Sequence, residues 1–216
     1  MKKYYISDLH FFHKNITNEG MNFDNRPFDT CEEMHAYILE RWNSKVNNGD
    51  IVYILGDVAM PNSANKEDLI ALISRLKGRK HLILGNHDKL NDYRLEQLFE
   101  VICDYKETMD YYDNQRVKII MLHYPILMWK DQHKGSVHLY GHVHCGIEEE
   151  YFQRCLNNMR GKDFEERRKD GQIHKPVAYN VGCMMSYMNY EPRTLEEIID
   201  GRNSSGIATD YDEEKE

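Results

Sequence analysis

Short apolar runs and amphipathic stretches alternate in the first half of the chain. Residues 3–7, 51–55 and 81–84 have the length and the apolar character of buried strands. Between them, apolar side chains recur at helical spacing over residues 30–46 and 66–77, and the first of these stretches begins with a Thr-x-x-Glu capping box. The order strand, helix, strand, helix, strand predicts α/β units with parallel strands.

The second half of the chain is predicted to consist mostly of strands. A hairpin turn is expected at residues 113–115, and a closing helix at residues 194–199. The predicted strands are residues 101–105, 107–112, 116–122, 137–140 and 177–181. The chain as a whole is therefore expected to have an α/β first half and a β-rich second half.

Two segments near the carboxyl end differ from the rest in their charge. Residues 148–174 are dense in Glu, Arg, Lys and Asp, and we expect a solvated helical insertion there, with a lid or a partner-binding element as the alternative. Residues 201–216 end in a mostly acidic run and are expected to form a flexible tail. The folded domain is accordingly expected to span residues 1–200.

Charge and cysteine usage narrow the functional classes. The chain has 216 residues and a net charge of −8, which disfavours a protein that binds nucleic acid mainly by neutralising phosphates. Its five cysteines are far apart and form no C-x-x-C pair, which favours free thiols over disulfides or a thiolate zinc site. No apolar run reaches the ~18–20 residues of a membrane span, and the charged amino terminus is unlike a signal peptide. We therefore expect a cytoplasmic protein with no membrane partner.

Five short polar motifs follow predicted strands. Side chains two positions apart on an extended segment project to the same side, so the Asp-x-His and His-x-His pairs are each expected to reach one centre. Strand ends are also where ligands bind in open α/β sheets. The motifs are Asp8-Leu9-His10, Gly56-Asp57, Gly85-Asn86-His87-Asp88, His123-Tyr124 and Gly141-His142-Val143-His144.

The side chains of these motifs predict a metal site. Two carboxylates, one amide and four imidazoles would be costly to bury together without cations. Because the donors are nitrogen and oxygen atoms and no thiolate is among them, Mn²⁺ is favoured, with Fe²⁺, Zn²⁺ or Ni²⁺ as the alternatives.

Taken together, the motifs resemble those of the calcineurin-like metallophosphoesterase superfamily. Further stretches are similar to a group of small bacterial and phage phosphoesterases within it. These stretches are residues 7–16, 25–28, 42–43, 53–57, 123–125, 138–144 and 180–182. The resemblance implies a four-layer α/β/β/α sandwich of two mixed β-sheets flanked by helices.

The resemblance also implies a centre of two divalent metal ions, bridged by Asp57. Two such cations bring a charge of about +4 against −2 from the aspartates, and the remainder suits a bridging hydroxide together with a phosphoryl oxyanion. The implied ligands are Asp8, His10, Asp57 and His144 for one ion, and Asp57, Asn86, His123 and His142 for the other.

Four further residues are candidates for roles around the metals. The resemblance implies that His87 assists catalysis by stabilising transferring oxygens or by protonating the leaving group, and a turn histidine is the structural alternative. Asp88 is expected either to orient His87 or to cap a helix. His13 and Arg26 lie in loops after the first strand, where they are expected either to contact the substrate phosphate or to serve the fold.

The predicted function is hydrolysis of a phosphoester by attack of a metal-bridging hydroxide, with phosphodiesters favoured over monoesters. We expect a small-molecule or nucleotide substrate. A metal-dependent nuclease and a non-catalytic protein-binding scaffold of the same fold are the alternatives. A Ser/Thr protein phosphatase is disfavoured, because that branch carries an Arg soon after its Gly-Asp motif and no basic residue follows Asp57 here before Lys66. The oligomeric state is left open.

Overall fold

Two four-stranded β-sheets share one hydrophobic core and carry helices on their outer faces. The computed structural model describes residues 1–60, 65–159 and 175–204. The first sheet is parallel throughout and has the order β1 (Lys3–Ile6), β2 (Ile51–Ile54), β3 (Arg79–Ile83), β4 (Val101–Cys103). Each connection in it contains a helix, which returns the chain to the same end of the sheet. The predicted parallel α/β units are therefore present, and this sheet is not mixed.

The second sheet is mixed, as the resemblance implied. Its order is β5 (Tyr105–Tyr112), β6 (Gln115–Leu122), β7 (Val137–Tyr140), β8 (Val177–Asn180). Strands β5 and β6 are antiparallel, whereas β6, β7 and β8 are parallel to one another. The turn between β5 and β6 is formed by Asp113 and Asn114, whose φ angles of 48° and 60° are those of a two-residue hairpin.

The first two helices begin and end within three residues of the predicted positions. The closing helix runs five residues beyond its predicted end, and a short helix at residues 93–96 was not predicted. The capping box of the first helix is present, because the Thr30 side chain accepts a hydrogen bond from the backbone N–H of Glu33 at 3.1 Å. Within the described ranges, no helix has the length and apolar character that crossing a bilayer requires. The described helices are α1 (Cys31–Lys45), α2 (Lys66–Ser74), α3 (Tyr93–Glu96), α4 (Ile147–Met159) and α5 (Leu195–Ser204).

The alternation of side chains along β6 shows how the second sheet is packed on both faces. Ile119 and Met121 belong to the main core, which also contains residues of the first sheet. Ile120 points the other way and belongs to a smaller cluster with Phe152 and Leu156 of α4. Helix α4 therefore covers the outer face of the second sheet.

This packing corrects the expectation for the charged insertion. Residues 148–159 are helical, as expected, but Glu149, Phe152 and Leu156 are buried, so this part is not a solvated insertion. Its apolar stripe is spaced three and four residues apart and fills the space over the sheet. Residues 160–174 and 205–216, with the rest of the expected insertion and most of the expected tail, lie outside the described residues. Residues 201–204 belong to α5 rather than to a tail.

Candidate metal centre

The seven predicted ligands follow the carboxyl ends of strands from both sheets. Parallel strands end at the same edge of a sheet, and here the corresponding edges of the two sheets meet. This arrangement brings together residues that are up to 136 positions apart in the sequence. The ligands are Asp8 and His10 after β1, Asp57 after β2, Asn86 after β3, His123 after β6, and His142 and His144 after β7.

The side chains form two neighbouring groups. The ligand atoms of Asp8, His10 and His144 lie within 4.8 Å of one another, and so do those of Asp57, His123 and His142. Asn86 joins the second group, because its Oδ1 lies 2.9 Å from Nδ1 of His142. The structure therefore places all seven residues in two adjacent clusters that have the composition expected of two metal sites.

Asp57 lies between the two groups. Its Oδ2 atom is 3.6 Å from Nε2 of His10, in the first group, and 3.6 Å from Nε2 of His123, in the second. One carboxylate oxygen is thus equally far from a nitrogen donor on each side. This is the position that a ligand shared by two ions requires.

The ligand side chains are arranged to bind a cation rather than to hydrogen-bond to one another. His123 Nδ1 lies 2.7 Å from the carbonyl oxygen of Leu55, which can only accept, so this nitrogen carries the ring proton of the neutral imidazole. The lone pair of Nε2 then faces Asn86 Oδ1 at 3.0 Å. Two acceptors this close repel each other, and a cation between them removes the repulsion. Two donors that bind one ion at ~2.1 Å are about 3.0–3.4 Å apart, which matches the observed separation.

Among the described residues, no Lys or Arg side chain pairs with the carboxylate of Asp8 or Asp57. Asp8 and Asp57 are both buried. Within the described part of the chain, the ion pairs of Asp57 are with histidines and that of Asp8 is with His144. A pair of buried carboxylates with no Lys or Arg partner is costly, and divalent cations offset that cost.

The backbone is left-handed rather than extended at five of the seven ligands. The φ angles are 56° at Asp8, 47° at His10, 52° at Asp57, 72° at His142 and 49° at His144. Asp8 and His10 reach the same group, as expected, whereas His142 and His144 belong to different groups. The reasoning from strand alternation was wrong, because these ligands stand on tight turns after the strands. Non-glycine residues in this conformation cost of order 1–3 kcal/mol each and cluster at functional sites.

Glycines allow the loops to approach the ligands closely. A Cβ atom on Gly85 would collide with the carboxylate of Asp57, and one on Gly141 would collide with the carboxylate of Asp8. Any larger residue at these two positions would displace a ligand.

His87 lies at the rim of the centre, where it can meet a substrate. Its side chain is 33% exposed, and its Nε2 lies 4.0 Å from Asp57 Oδ2. Its backbone N–H donates to Asp57 Oδ1 at 2.9 Å, which fixes the loop beside the carboxylate. The imidazole is therefore next to the two groups without belonging to either.

Asp88 does not orient His87. Its carboxylate accepts hydrogen bonds from the backbone N–H groups of Asp57, Val58 and Gly85, at 2.9, 2.9 and 2.8 Å. It therefore ties the loop after β2 to the loop after β3. Burial raises the pKa of Asp88 above its usual value, and the hydrogen bonds from the amides oppose this only in part.

The two expected phosphate contacts have different outcomes. The His13 ring lies 5.6 Å from that of His10, centroid to centroid, at the edge of the first group, where a contact with substrate stays a prediction. The Arg26 side chain is fully buried, and its guanidinium is bonded to Asp24 and to the carbonyl oxygens of Asp8 and Leu9. A phosphate contact by Arg26 is therefore wrong, because every face of the group is occupied by the protein.

Asp24, Phe23 and Tyr124 also lie beside the centre, although no role for their side chains was predicted from the sequence. Asp24 Oδ1 lies 2.7 Å from Nδ1 of His144. The exposed rings of Phe23 and Tyr124 lie 5.9 Å from His144 and 4.5 Å from His142, one beside each group. The one indication that a carboxylate such as Asp24 would be found here is general: a metal-binding histidine usually donates a hydrogen bond from its other ring N–H to a carboxylate.

Burial and local carboxylates affect the ligand histidines differently. Burial lowers the pKa of His10 well below its ordinary value, which favours the neutral form that binds metals. Burial also lowers the pKa of His142. At His144, burial acts in the same direction, but the hydrogen bond to Asp24 and the charge of Asp8 outweigh it and raise the pKa.

Comparison with known proteins agrees with this geometry. The family model described as "Calcineurin-like phosphoesterase" matches residues 1–146, a range that contains all seven ligands and His87. The chain belongs to the calcineurin-like phosphoesterase family. The resemblance seen in the motifs is thereby confirmed, and with it a hydrolase family that acts on phosphoesters.

Several known proteins are similar to this chain over most of its length. The uncharacterized protein MJ1445 of Methanocaldococcus jannaschii is 33% identical over 198 residues, which are 92% of this chain and 89% of the relative. The Gene 66 protein of Mycobacterium phage D29 is 26% identical over 165 residues, 67% of this chain and 79% of the relative. A solved structure of a protein of unknown function, AQ665 from Aquifex aeolicus, aligns with a TM-score of 0.59 at 24% identity. That alignment covers 92% of this chain and 98% of the other, and it supports the fold alone.

Proposed function

We propose that this calcineurin-like phosphoesterase hydrolyses small-molecule or nucleotide phosphodiesters with two divalent metal ions, and monoesters less well. The observation that carries the proposal is the position of Asp57, whose Oδ2 lies 3.6 Å from a ring nitrogen of each ligand group. A single site would leave one group of histidines without a function. Two adjacent sites that share a carboxylate are the arrangement used for hydrolysis of phosphoesters.

The chemistry divides between the metals and the residues around them. Two divalent ions, held by the two ligand groups, would supply a water of lowered pKa as the nucleophile and positive charge for the phosphoryl oxygens. Asp57 and Asn86 would hold the second ion. Asn86 is exposed, so this ion would be accessible to substrate from solvent. No protein side chain would then have to attack phosphorus.

His87 is proposed to transfer the proton to the leaving oxygen. Its imidazole lies at the rim, outside both ligand groups, and its ring lies 5.7 Å from that of His10, centroid to centroid. An imidazole beside the reacting phosphate can act as a general acid for the leaving oxygen. His13, on the other side of His10, is proposed to contact a phosphoryl oxygen.

The preference for diesters is supported by an apolar groove beside the second group. The groove has a volume of about 490 Å³ and is lined in part by His142, Leu127, Ile147 and Tyr151. Because His142 lines it, a substituent on a bound phosphate can enter the groove directly from the centre. A phosphodiester has a second substituent to place there, whereas a monoester does not.

Mn²⁺ is the proposed metal. Each described ligand atom is a nitrogen of histidine or an oxygen of Asp or Asn, and no cysteine sulfur belongs to either group. Such sites suit Mn²⁺, with Fe²⁺, Zn²⁺ and Ni²⁺ as competitors, because thiolate is what selects zinc most strongly.

The direct test measures hydrolysis with defined metals. The metal-free protein is loaded with Mn²⁺, and kcat/KM is compared for bis(p-nitrophenyl) phosphate and p-nitrophenyl phosphate, then for cyclic nucleotides, linear dinucleotides and single-stranded DNA. We expect metal-dependent turnover with a higher kcat/KM for the diester. A higher value for the monoester would overturn the preference, and single-stranded DNA as the best substrate would make the protein a nuclease. Absence of turnover with both ions bound would indicate a protein-binding scaffold.

A further inference from the structure

A buried ion pair adjoins the metal centre and has no role in the chemistry described above. Arg26 Nη2 lies 2.8 Å from Asp24 Oδ2, and the two side chains are 0% and 2% exposed. Arg26 Nε donates to the same oxygen at 2.9 Å. Because a buried Asp keeps its charge only when it is paired and hydrogen-bonded, Arg26 holds Asp24 in the ionised form.

The other carboxylate oxygen of Asp24 faces a metal ligand. Asp24 Oδ1 lies 2.7 Å from Nδ1 of His144. An ionised carboxylate can only accept, so Nδ1 of His144 carries the ring proton. The opposite ring nitrogen, Nε2, then presents its lone pair to the first ligand group, 3.2 Å from Nε2 of His10.

Arg26 holds a second part of the same group. Its Nη2 donates to the carbonyl oxygen of Asp8 at 2.9 Å, and its Nη1 donates to that of Leu9 at 3.2 Å. These bonds fix the loop after β1 at the point where Asp8 has a φ of 56°. One guanidinium therefore holds the backbone of one ligand and, through Asp24, the side chain of another.

We propose that Asp24 is a positioning residue for the metal ion that Asp8, His10 and His144 would hold. It would fix the orientation and the proton of His144, and Arg26 would join this effect to the loop that carries Asp8. The inference rests on the metal centre of the proposed function. It gives the buried Arg26, which cannot reach substrate, a function in the centre.

The test is the Mn²⁺ affinity of the Asp24→Asn variant. An Asn amide cannot accept from Arg26 and from His144 at the same time, so one of these contacts becomes repulsive. Equilibrium dialysis with metal analysis should show two ions bound by the wild type. In the variant, one of the two ions should bind ~10–100-fold more weakly, as is typical when the partner of a ligating histidine is lost. Unchanged affinity for both ions would overturn the proposal.

A matched control separates this effect from general destabilisation. Asp50 is also buried, and it accepts hydrogen bonds from the backbone N–H groups of Lys2 and Asn47, at 2.7 and 3.0 Å. Asp50→Asn is therefore the same chemical change at a buried site away from the metals. It should lower the unfolding temperature and leave both Mn²⁺ affinities unchanged. An equal loss of metal affinity in this control would show that Asp24 acts only through stability.

A double-mutant comparison shows whether Asp24 acts through His144. If it does, adding Asp24→Asn to His144→Ala should change the Mn²⁺ affinity no further. Losses that add would mean that Asp24 serves the fold and not the ligand, which would contradict the proposal.

A measurement on the wild type covers the case in which the variant fails to fold. Long-range ¹H–¹⁵N spectra of the metal-free protein, at a pH where the His144 ring is neutral, report which ring nitrogen carries the proton. We expect protonated Nδ1 and unprotonated Nε2, and the reverse would overturn the proposal. These readouts are independent of turnover. A wild type that binds two ions without hydrolysing any phosphoester would end the proposed function and leave this inference standing.

Discussion

Asp88 Oδ2 accepts a hydrogen bond from the backbone N–H of Asp57 at 2.9 Å. A side chain in the loop after β3 thus holds Asp57, the central residue of the metal site, which lies in the loop after β2. The same oxygen accepts from the N–H of Gly85 at 2.8 Å, and Oδ1 accepts from the N–H of Val58 at 2.9 Å. The two loops that carry Asp57 and Asn86 are thereby joined through one carboxylate. This relationship places Asp88 in the architecture of the centre and not in proton transfer.

Asp88→Asn is expected to destabilise the protein and weaken metal binding. The amide has one acceptor oxygen, and its NH₂ group would face at least one of the backbone N–H donors. An unsatisfied or repelled donor of this kind costs ~1–3 kcal/mol. Urea unfolding of the metal-free variant measures that loss. Asp113→Asn is the matched control, since Asp113 lies exposed in the hairpin turn, where Asn is equally suited. A variant as stable as the wild type would contradict this role of Asp88.

His87→Ala is expected to lower turnover and spare the metals. Loss of a general acid lowers kcat by ~10²–10⁴-fold, and His87 lies outside both ligand groups. Metal analysis of the purified variant should therefore show the wild-type content. His133→Ala, a substitution at an exposed histidine, serves as the control. Full activity in His87→Ala would remove this residue from the mechanism.

Asp57→Asn is expected to weaken the binding of both metal ions. Its Oδ2 is equally close to a nitrogen of His10 and a nitrogen of His123, so loss of the negative charge affects both groups. His10→Ala, by comparison, should weaken mainly the ion of the first group. The Mn²⁺ content of each variant after dialysis distinguishes these patterns. Two ions bound to Asp57→Asn with wild-type affinity would refute the shared position.

His138 is expected to make the fold sensitive to mild acid. Burial lowers its pKa to about 4, although hydrogen bonds to backbone carbonyls act in the opposite direction. The unfolded chain takes up the proton below about pH 6.5, whereas the folded protein resists it until about pH 4, so stability is complete above this range and falls as the pH is lowered through it. The loss from about pH 7 to about pH 5 should be on the order of 2 kcal/mol.

Urea unfolding of the metal-free protein at these two pH values measures the effect of His138. His138→Gln removes this titration and should show a correspondingly smaller loss, while the other histidines contribute equally to both proteins. Equal losses in the wild type and the variant would mean that His138 does not contribute to the acid sensitivity.

Much of the fold and of the ligand set could be predicted from the sequence. The continuous apolar runs predicted β2 and β3 because parallel strands are buried on both faces. The ligands stood out because glycines and polar residues interrupt the chain directly after those runs, as at Gly56-Asp57 and Gly85-Asn86. Both features, the apolar run and the polar residues that follow it, lie within a few consecutive residues and can therefore be recognised in the sequence alone.

Contacts between distant segments could not be predicted in the same way. His144 and Asp24 are 120 positions apart, and only the folded loops bring them within a hydrogen bond. The burial of Arg26 depends on the same loops, so the sequence left open whether Arg26 contacts the substrate phosphate or serves the fold. The left-handed backbone at Asp8 and His142 is likewise imposed by the surrounding contacts, since neither residue type by itself requires it.

Anomalous X-ray diffraction at the manganese edge, from crystals of the Mn²⁺-loaded protein, tests the central claim most directly. We predict two anomalous peaks ~3.5–4 Å apart, both in contact with the carboxylate of Asp57. One peak should lie among Asp8, His10 and His144, and the other beside Asn86. A single peak, or two peaks of which only one touches Asp57, would contradict the account.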